Sequence, residues 1–381
     1  MESAWSTRNP IPAALLQPSR WLPLYEEFVT KNASSVSQVE SALRSLTYII
    51  PGRYRDSEIS SECVHSGVQL LSLYHDSLVS RVISRLPSTV PRPTPSPHAR
   101  YTKYWTSHSS LYQKIALSLQ MVQYTELLWE MTARRRGEKV RWRVVVLTEA
   151  IKAICRLLLL YLTNSRPLVS PPLPEREVDP RSVEEDDDWN GMQTPDSERS
   201  MDLCWTMPRT GLSLPSLPDV DDLSNYLVTK VLTADDIKPP QALLHRATGQ
   251  GQLAEALYIL RPVVYALAIQ IYHGDKRSWR PWLIGFSMEY GCRQLAKSDI
   301  RERVAGGLRG LTGLEREEMR KRGWAIAWWS MRGAFYEHVT KSWLKSLTGK
   351  MKGKPLLDLV GSVIEDYEYL WDRYYFSTAT L

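Results

Sequence analysis

His65 and His75 are the first residues of this 381-residue chain that could grip a metal ion, and GGLRGLTG at 306–313 is glycine-rich enough to suggest a phosphate cradle. Neither develops into a site. No Cys/His cluster with zinc spacing accompanies the histidines, so they read as ordinary polar-face side chains. No strand precedes the glycines and no Lys-Ser/Thr follows them, both of which a phosphate loop needs. They read instead as a flexible turn before a helix. Thr312 stands three before Glu315, which predicts a capping box opening LEREEMRKRGW. The acidic run EEDDD at 184–188 lacks the fixed glycine and spaced oxygens of a calcium loop, so it reads as solvated. Gly-x-Ser-x-Gly, HExxH, Walker and His-x4-Asp signatures are all missing. Cys63, Cys155, Cys204 and Cys292 are far apart, with no CxxC, and are expected as reduced, buried thiols in a cytosol-facing protein. The expectation is a protein without catalysis, cofactor, metal or small-molecule substrate.

What remains is the chemistry of charge inside apolar sequence. RWRVVVLTEAIKAICRLLLLYL, 141–162, is the most apolar stretch of useful length, yet Glu149, Lys152 and Arg156 interrupt it. Their spacing of 3 and 4 puts them on one helix face. At mid-membrane they would cost roughly 8–10 kcal/mol, against a return of about 4–7 from the apolar residues. Alone in lipid this helix is disfavoured. It enters a bilayer if the stripe faces a partner helix or if Glu149 and Lys152 neutralise each other, it lies in the interface with the stripe in water, or it packs in a soluble bundle. LYILRPVVYALAIQIY, 257–272, carries one interior cation, Arg261, beside Pro262 and is closer to inserting. PWLIGFSMEYGCRQLA, 281–296, again sets a carboxylate and an Arg four apart, Glu289 and Arg293. WAIAWWSM, 324–331, is too short to cross and reads as an interfacial or partner-facing patch.

The formal charge is +6, but residues 170–240 hold 6 Lys/Arg against 16 Asp/Glu, a balance of −10 that leaves +16 on the remainder. Fourteen Trp and 19 Tyr against 4 Phe favour rings with a polar tip, which suit interfaces. Arg134, Arg135, Arg136, Lys139, Arg141 and Arg143 precede the first apolar segment, and Lys276, Arg277 and Arg280 follow the second. If both segments span, the positive-inside rule places both termini in the cytosol and the acidic segment between them on the far side. Arg and Trp also interleave as nucleic-acid binders require, but no recognition motif accompanies them. A polybasic run beside a long apolar helix is better explained as an anchor for anionic lipid, so no nucleic-acid partner is expected.

The elements that must position these residues are helices, and the predicted fold class is all-α. Val36, Val39, Leu43, Leu46 and Ile50 keep a helical step until Pro51-Gly52, which is expected to stop them. Val64, Val68, Leu71, Leu78 and Val82 continue the period, as do Leu111, Ile115, Leu119, Val122 and Trp129, and finally Leu356, Val360, Val363, Tyr367 and Leu370. The expected order is a flexible tail over 1–20, an N-terminal helical half over 21–165, a disordered acidic linker over 166–250 and a C-terminal helical half over 251–381. The proline run 87–100 is expected as an extended connector, and 140–163 and 256–273 as the hydrophobic segments. The N-terminus offers no apolar run for a signal peptide, and the final TATL is not a peroxisomal Ser-Lys-Leu address.

Several stretches in order resemble the peroxin-16 family: YEEFVTKN at 25–32, LRSLTYIIPGRYRDSEISSECVHSGVQLLSLYHD at 43–76, the 141–162 segment, and EALYILRPVVYALAIQIYHGDKRSWRPWLIGF at 255–286. LTGLEREEMRKRGWAI at 311–326, MRGAFYEH at 331–338 and EDYEYLWDRYYF at 365–376 complete the resemblance. It implies a non-enzymatic factor of the peroxisomal membrane, reached directly or through the endoplasmic reticulum. Such a factor is a receptor or scaffold that recruits peroxin-3, which docks peroxin-19 with newly made membrane proteins, and some members affect division. The resemblance also implies that the basic cluster Arg134 to Arg143 serves targeting. Arg277, Trp279, Pro281 and Trp282 are the expected partner-facing or structural corner, with a packed helix start bearing Pro281 near its first position as the competing reading. A soluble or peripheral helical adaptor is the alternative.

Overall fold

The computed structural model describes residues 32–53, 58–85, 95–176, 238–272, 277–304 and 310–351, with single positions between 23 and 29 and at 307 and 361. The tail over 1–20, residues 177–237 and the C-terminal stripe from Leu356 to Leu370 lie outside the described residues. Helices are α1 (Ala33–Arg53), α2 (Glu58–Arg85), α3 (Pro97–His108), α4 (Ser110–Arg136), α5 (Glu138–Leu162), α6 (Gln250–Ile271), α7 (Trp279–Arg303), α8 (Gly313–Ala327) and α9 (Lys341–Met351). Among the described residues there is no strand, so the chain is all-α as the periodicity predicts. α1 continues through Pro51 and Gly52 to Arg53, past the expected stop.

The chain divides into two compact units. The smaller contains α1 up to Ile50 and α2 from Gly67. Its described interior joins apolar and polar side chains: Val29, Val68, Leu78 and Val79 are buried, Glu40 and His75 are buried together, and Arg176 reaches Glu40 at 2.8 Å and Asp76 at 3.1 Å. His75, expected on a polar face, is instead buried and bonded to the Glu40 carboxylate, a correction that follows from Glu40 lying on the facing helix.

In the larger unit the helix ends explain the path. Ser96 caps α3 by accepting from the Ala99 backbone N–H at 3.1 Å, with Pro97 at the first helical turn, where its missing N–H costs nothing. The proline run therefore gives way to helix at 97, a correction to the extended connector expected over 87–100. Ser109 is at once the end of α3 and the cap of α4. Gly137, at φ +127°, alone separates α4 from α5, a backbone setting open to glycine and strained for other residues, so the two helices fold back as a hairpin. The Thr312–Glu315 capping box is present in both directions, at 3.2 and 3.1 Å.

α4 packs on α5, α5 on α6 and α6 on α7, a row of helices with α8 lying against it. One core joins Tyr101, Trp105, Tyr112 and Leu119 to Leu159, Leu243, Leu244 and Leu314; a second joins Val145 to Tyr265, Trp282 and Trp329. Val145 meeting Tyr265 while Ala153 and Leu160 meet Ile259 makes α5 and α6 antiparallel. Gly285 is required where α7 meets the turn at 328–331, since a Cβ there would lie 2.3 Å from the Trp329 ring.

Both ends of the stretch 166–250, expected as a disordered linker, are placed against the helix row. Val169 is buried, the carbonyls of Pro171 and Pro172 accept from His98 Nε2 at 2.9 Å and Tyr112 Oη at 3.1 Å, and Leu243 and Leu244 fill the first core. A proline-rich chain offers acceptors that helix side chains satisfy, which composition alone does not reveal.

Candidate membrane-facing surface

On α5 the three interrupting charges turn inward. Glu149 and Lys152 are each 1% exposed and Arg156 is buried beside them. Lys152 Nζ donates to Glu149 Oε1 at 3.1 Å and to Glu126 Oε2 of α4 at 2.6 Å. Both conditions that admit this helix to an apolar environment, a partner helix and mutual neutralisation, are therefore met. The outward side carries Leu147 (61% exposed), Ile151, Ile154 (57%), Leu158 and Tyr161. The usual partition of a water-soluble helix is inverted.

α6 repeats the inversion. Arg261 is buried in an ion pair with Glu289 of α7, and Glu255 is buried against Arg322 of α8 at 2.5 and 3.0 Å. Tyr258 lies between the guanidinium groups of Arg261 and Arg322, each 4.5 Å from its ring centre. Desolvation alone would lower the Arg322 pKa, but the Glu255 carboxylate outweighs it and the net shift is upward. Outward, Leu253, Leu257, Leu260, Val264, Leu267 and Ile271 recur at steps of 4, 3, 4, 3 and 4, exposed or half-buried. At 1.5 Å per residue that stripe runs about 27 Å, close to the hydrocarbon thickness of a bilayer. α6 is, among the described residues, the one helix long and apolar enough to cross a membrane, with half of its apolar window buried; α5 does not qualify because of its charges.

The two stripes share a side. Arg156 on α5 and Tyr258 on α6 both line the crevice against α8. At about 100° per residue, Leu147, Ile151, Ile154, Leu158 and Tyr161 lie roughly 140–180° around α5 from Arg156. Leu253, Leu260, Val264, Leu267 and Ile271 lie roughly 120–180° around α6 from Tyr258. The apolar face thus points away from α8, a helix whose EREEMRKR sequence is among the most charged in the chain.

The basic cluster gathers at the Gly137 turn, at one end of the α5 stripe. Arg135, Arg136, Lys139 and Arg143 are exposed, and Arg134 lies 3.9 Å from Glu138. Arg141 has another use: it is 4% exposed, donates to Glu130 Oε1 through Nε at 2.9 Å and Nη2 at 2.7 Å, and lies over the Trp142 ring. It clamps the hairpin rather than joining the exposed patch. The 277–282 corner is similarly divided. Pro281 is the third residue of α7 and buried, and Trp282 is buried with Nε1 donating to the Trp329 carbonyl at 2.9 Å and its ring stacked on Phe286 and Phe335. Trp279 is 40% exposed and stacks on His338, whose Nε2 donates to the Arg277 carbonyl at 3.3 Å.

Glu289 pairs with Arg261 across helices, not with Arg293 four residues on. Cys63 is exposed and Cys155 half-buried, so of the cysteines expected to be buried only Cys292 is so among the described residues; Cys204 lies outside them. Glu126, Glu255 and Arg322 were missed by sequence reasoning, because a partner on another helix leaves no spacing signal.

Ion pairs inside and leucines outside make this an all-α membrane-associated protein. The family model described as peroxisomal membrane protein (Pex16) matches residues 23–373, and the chain belongs to that family. It is 21% identical to peroxisomal membrane protein PEX16 of Schizosaccharomyces pombe, over 85% of this chain and 89% of that protein. It is 23% identical to peroxisome biogenesis protein 16 of Arabidopsis thaliana, over 92% of this chain and 98% of that protein. Over a third of each chain it is 30% identical to peroxisome biogenesis factor 16 of Dictyostelium discoideum. No solved structure matches.

Proposed function

We propose that this chain is a non-enzymatic biogenesis factor of the peroxisomal membrane that embeds one broad face, the outward stripes of α5 and α6, in the bilayer. Arg135, Arg136, Lys139 and Arg143 meet anionic head groups at the end of the α5 stripe, each contributing about 1 kcal/mol. On the opposite side it acts as a receptor or scaffold, recruiting peroxin-3 and through it peroxin-19 with membrane-protein cargo. Arg277 and Trp279 are the exposed part of the partner-facing corner. Delivery proceeds directly or through the endoplasmic reticulum, with an influence on division as a further consequence.

The observation that carries this reading is the pair of apolar stripes set opposite α8. A soluble adaptor would have to hold Leu147, Ile151, Ile154, Leu158 and Tyr161 in water beside six more apolar residues of α6. A hairpin of two spans would have to surround with lipid helices that α8, with its EREEMRKR run, covers on one side. Protease digestion of intact organelles separates the arrangements. One-face embedding leaves residues 177–237 cleavable from the same side as both termini; two spans put both termini in the cytosol and protect that segment. Protection of 177–237 with cleavage of the termini would overturn the one-face reading.

A further inference from the structure

On the α8 side of the helix row, α6, α7, α8 and the segment 244–247 border a partly open cavity of about 410 Å³. That volume is within the range that small-molecule sites occupy, about 300–1,000 Å³. Leu244, Ala254, Tyr258, Ile300, Leu311 and Met319 give it an apolar interior.

The charged residues of its wall are unequally matched. All four carboxylates are engaged: Glu255 by Arg322 at 2.5 Å, Asp299 by Arg303 at 2.5 Å, Glu318 by Lys321 at 3.1 Å, and Glu315 by the α8 cap and His245 at 2.6 Å. Arg246, Arg293 and Lys297 line the same cavity, and among the described residues none of the three has a carboxylate partner. Arg293 and Lys297 are moreover four apart on α7, half-buried on one face, a spacing at which like charges repel. A cavity with apolar walls and three cations without a carboxylate partner is complementary to a molecule with an apolar chain and an anionic end.

We infer that this cavity binds a single-chain anionic amphiphile, its acyl chain among the apolar residues and its carboxylate or phosphate against Arg246, Arg293 and Lys297. The Cys292 thiol in the wall, pushed up to about 11 by burial, stays neutral beside the chain. The site is independent of how the opposite face meets the bilayer.

The full chain in phosphatidylcholine nanodiscs, titrated with dodecanoate, dodecyl phosphate and dodecanol and read by native mass spectrometry, tests this. One saturable equivalent of either anion is expected, at least tenfold tighter than dodecanol; which anion binds better distinguishes a fatty acid from a phosphate monoester as the source. Arg293→Glu and Lys297→Glu should each weaken the anion at least tenfold. Ala296→Trp, which fills the cavity, should remove saturable binding with helicity retained. Equal affinity for dodecanol, or uptake unchanged in Lys297→Glu and Ala296→Trp, would overturn the assignment.

Discussion

Lys152 of α5 donates to Glu126 of α4 at 2.6 Å, and this contact, with Glu149 at 3.1 Å, turns the charges of the most apolar segment away from the surface. Removing the cation strands the buried Glu149 carboxylate and the half-buried Glu126, which typically costs about 3–5 kcal/mol, whereas removing the whole charged set costs far less. Lys152→Met should therefore unfold at markedly lower denaturant, and Lys152→Met with Glu126→Gln, Glu149→Gln and Arg156→Met, which removes the buried cation that depends on the same carboxylates, should recover much of the loss. Equal instability of the single and quadruple variants would show that the network is not what matters.

Polar substitution on a water-facing helix surface is normally neutral. Here Leu147→Asn with Ile154→Asn should leave thermal stability intact while lowering vesicle co-sedimentation at least tenfold, because each buried side chain contributes about 1.5–3 kcal/mol. Retained binding would remove α5 from the membrane contact.

The arginines near Gly137 should divide into two kinds. Neutralising Arg134, Arg135 and Arg136 should weaken delivery to anionic membranes, most at low salt, without changing helicity. Arg141→Ala should instead destabilise the α4–α5 hairpin by about 3–5 kcal/mol, because Glu130 loses its buried partner. Unchanged organelle localisation of the triple variant would count against the steering role.

Glu62 of α2 has its carboxyl pushed up to about 7, chiefly by desolvation, with the Glu126 charge adding to it and a bond to Ser66 opposing. A carboxyl that holds its proton more tightly when folded stabilises fully below its unfolded value of 4.5, and that contribution is lost as pH rises through 7. Melting temperature should fall between pH 5 and pH 8, and Glu62→Gln should flatten the slope, gaining on the order of 1–3 kcal/mol at pH 8 after allowance for solvent screening. An identical slope in the variant would reject the assignment.

The helices, the Thr312–Glu315 cap and the charged face of α5 were legible because each is written in residues three or four apart. The direction of that face was not. A stripe of Glu149, Lys152 and Arg156 reads the same whether it meets water or Glu126, and only the fold supplies Glu126. Arg141 failed for the same reason: within a basic run it looks like its neighbours, and Glu130, eleven residues back, becomes its partner only once Gly137 reverses the chain. The extent of the proline-rich segments was obscured by composition, which registers what a proline cannot do and overlooks the carbonyls it offers to His98 and Tyr112. The cavity had no linear trace, since its cations lie on α7 and in the segment 244–247 while its carboxylates, on α6, α7 and α8, are matched by residues of α7, α8 and that same segment.

The Ala247 N–H donates to the Ser165 carbonyl at 2.8 Å, and the Lys238 carbonyl accepts from Arg100 near the cap of α3. The chain therefore departs and rejoins the helix row beside one fixed pair of points. Closing a longer or shorter excursion from such a base costs only logarithmically with its length, about 0.6 kcal/mol per doubling. The row thus holds both flanks, 165–172 and 238–247, through bonds made by its own helices, so the position of each flank is set by the scaffold rather than by the length of chain that joins them.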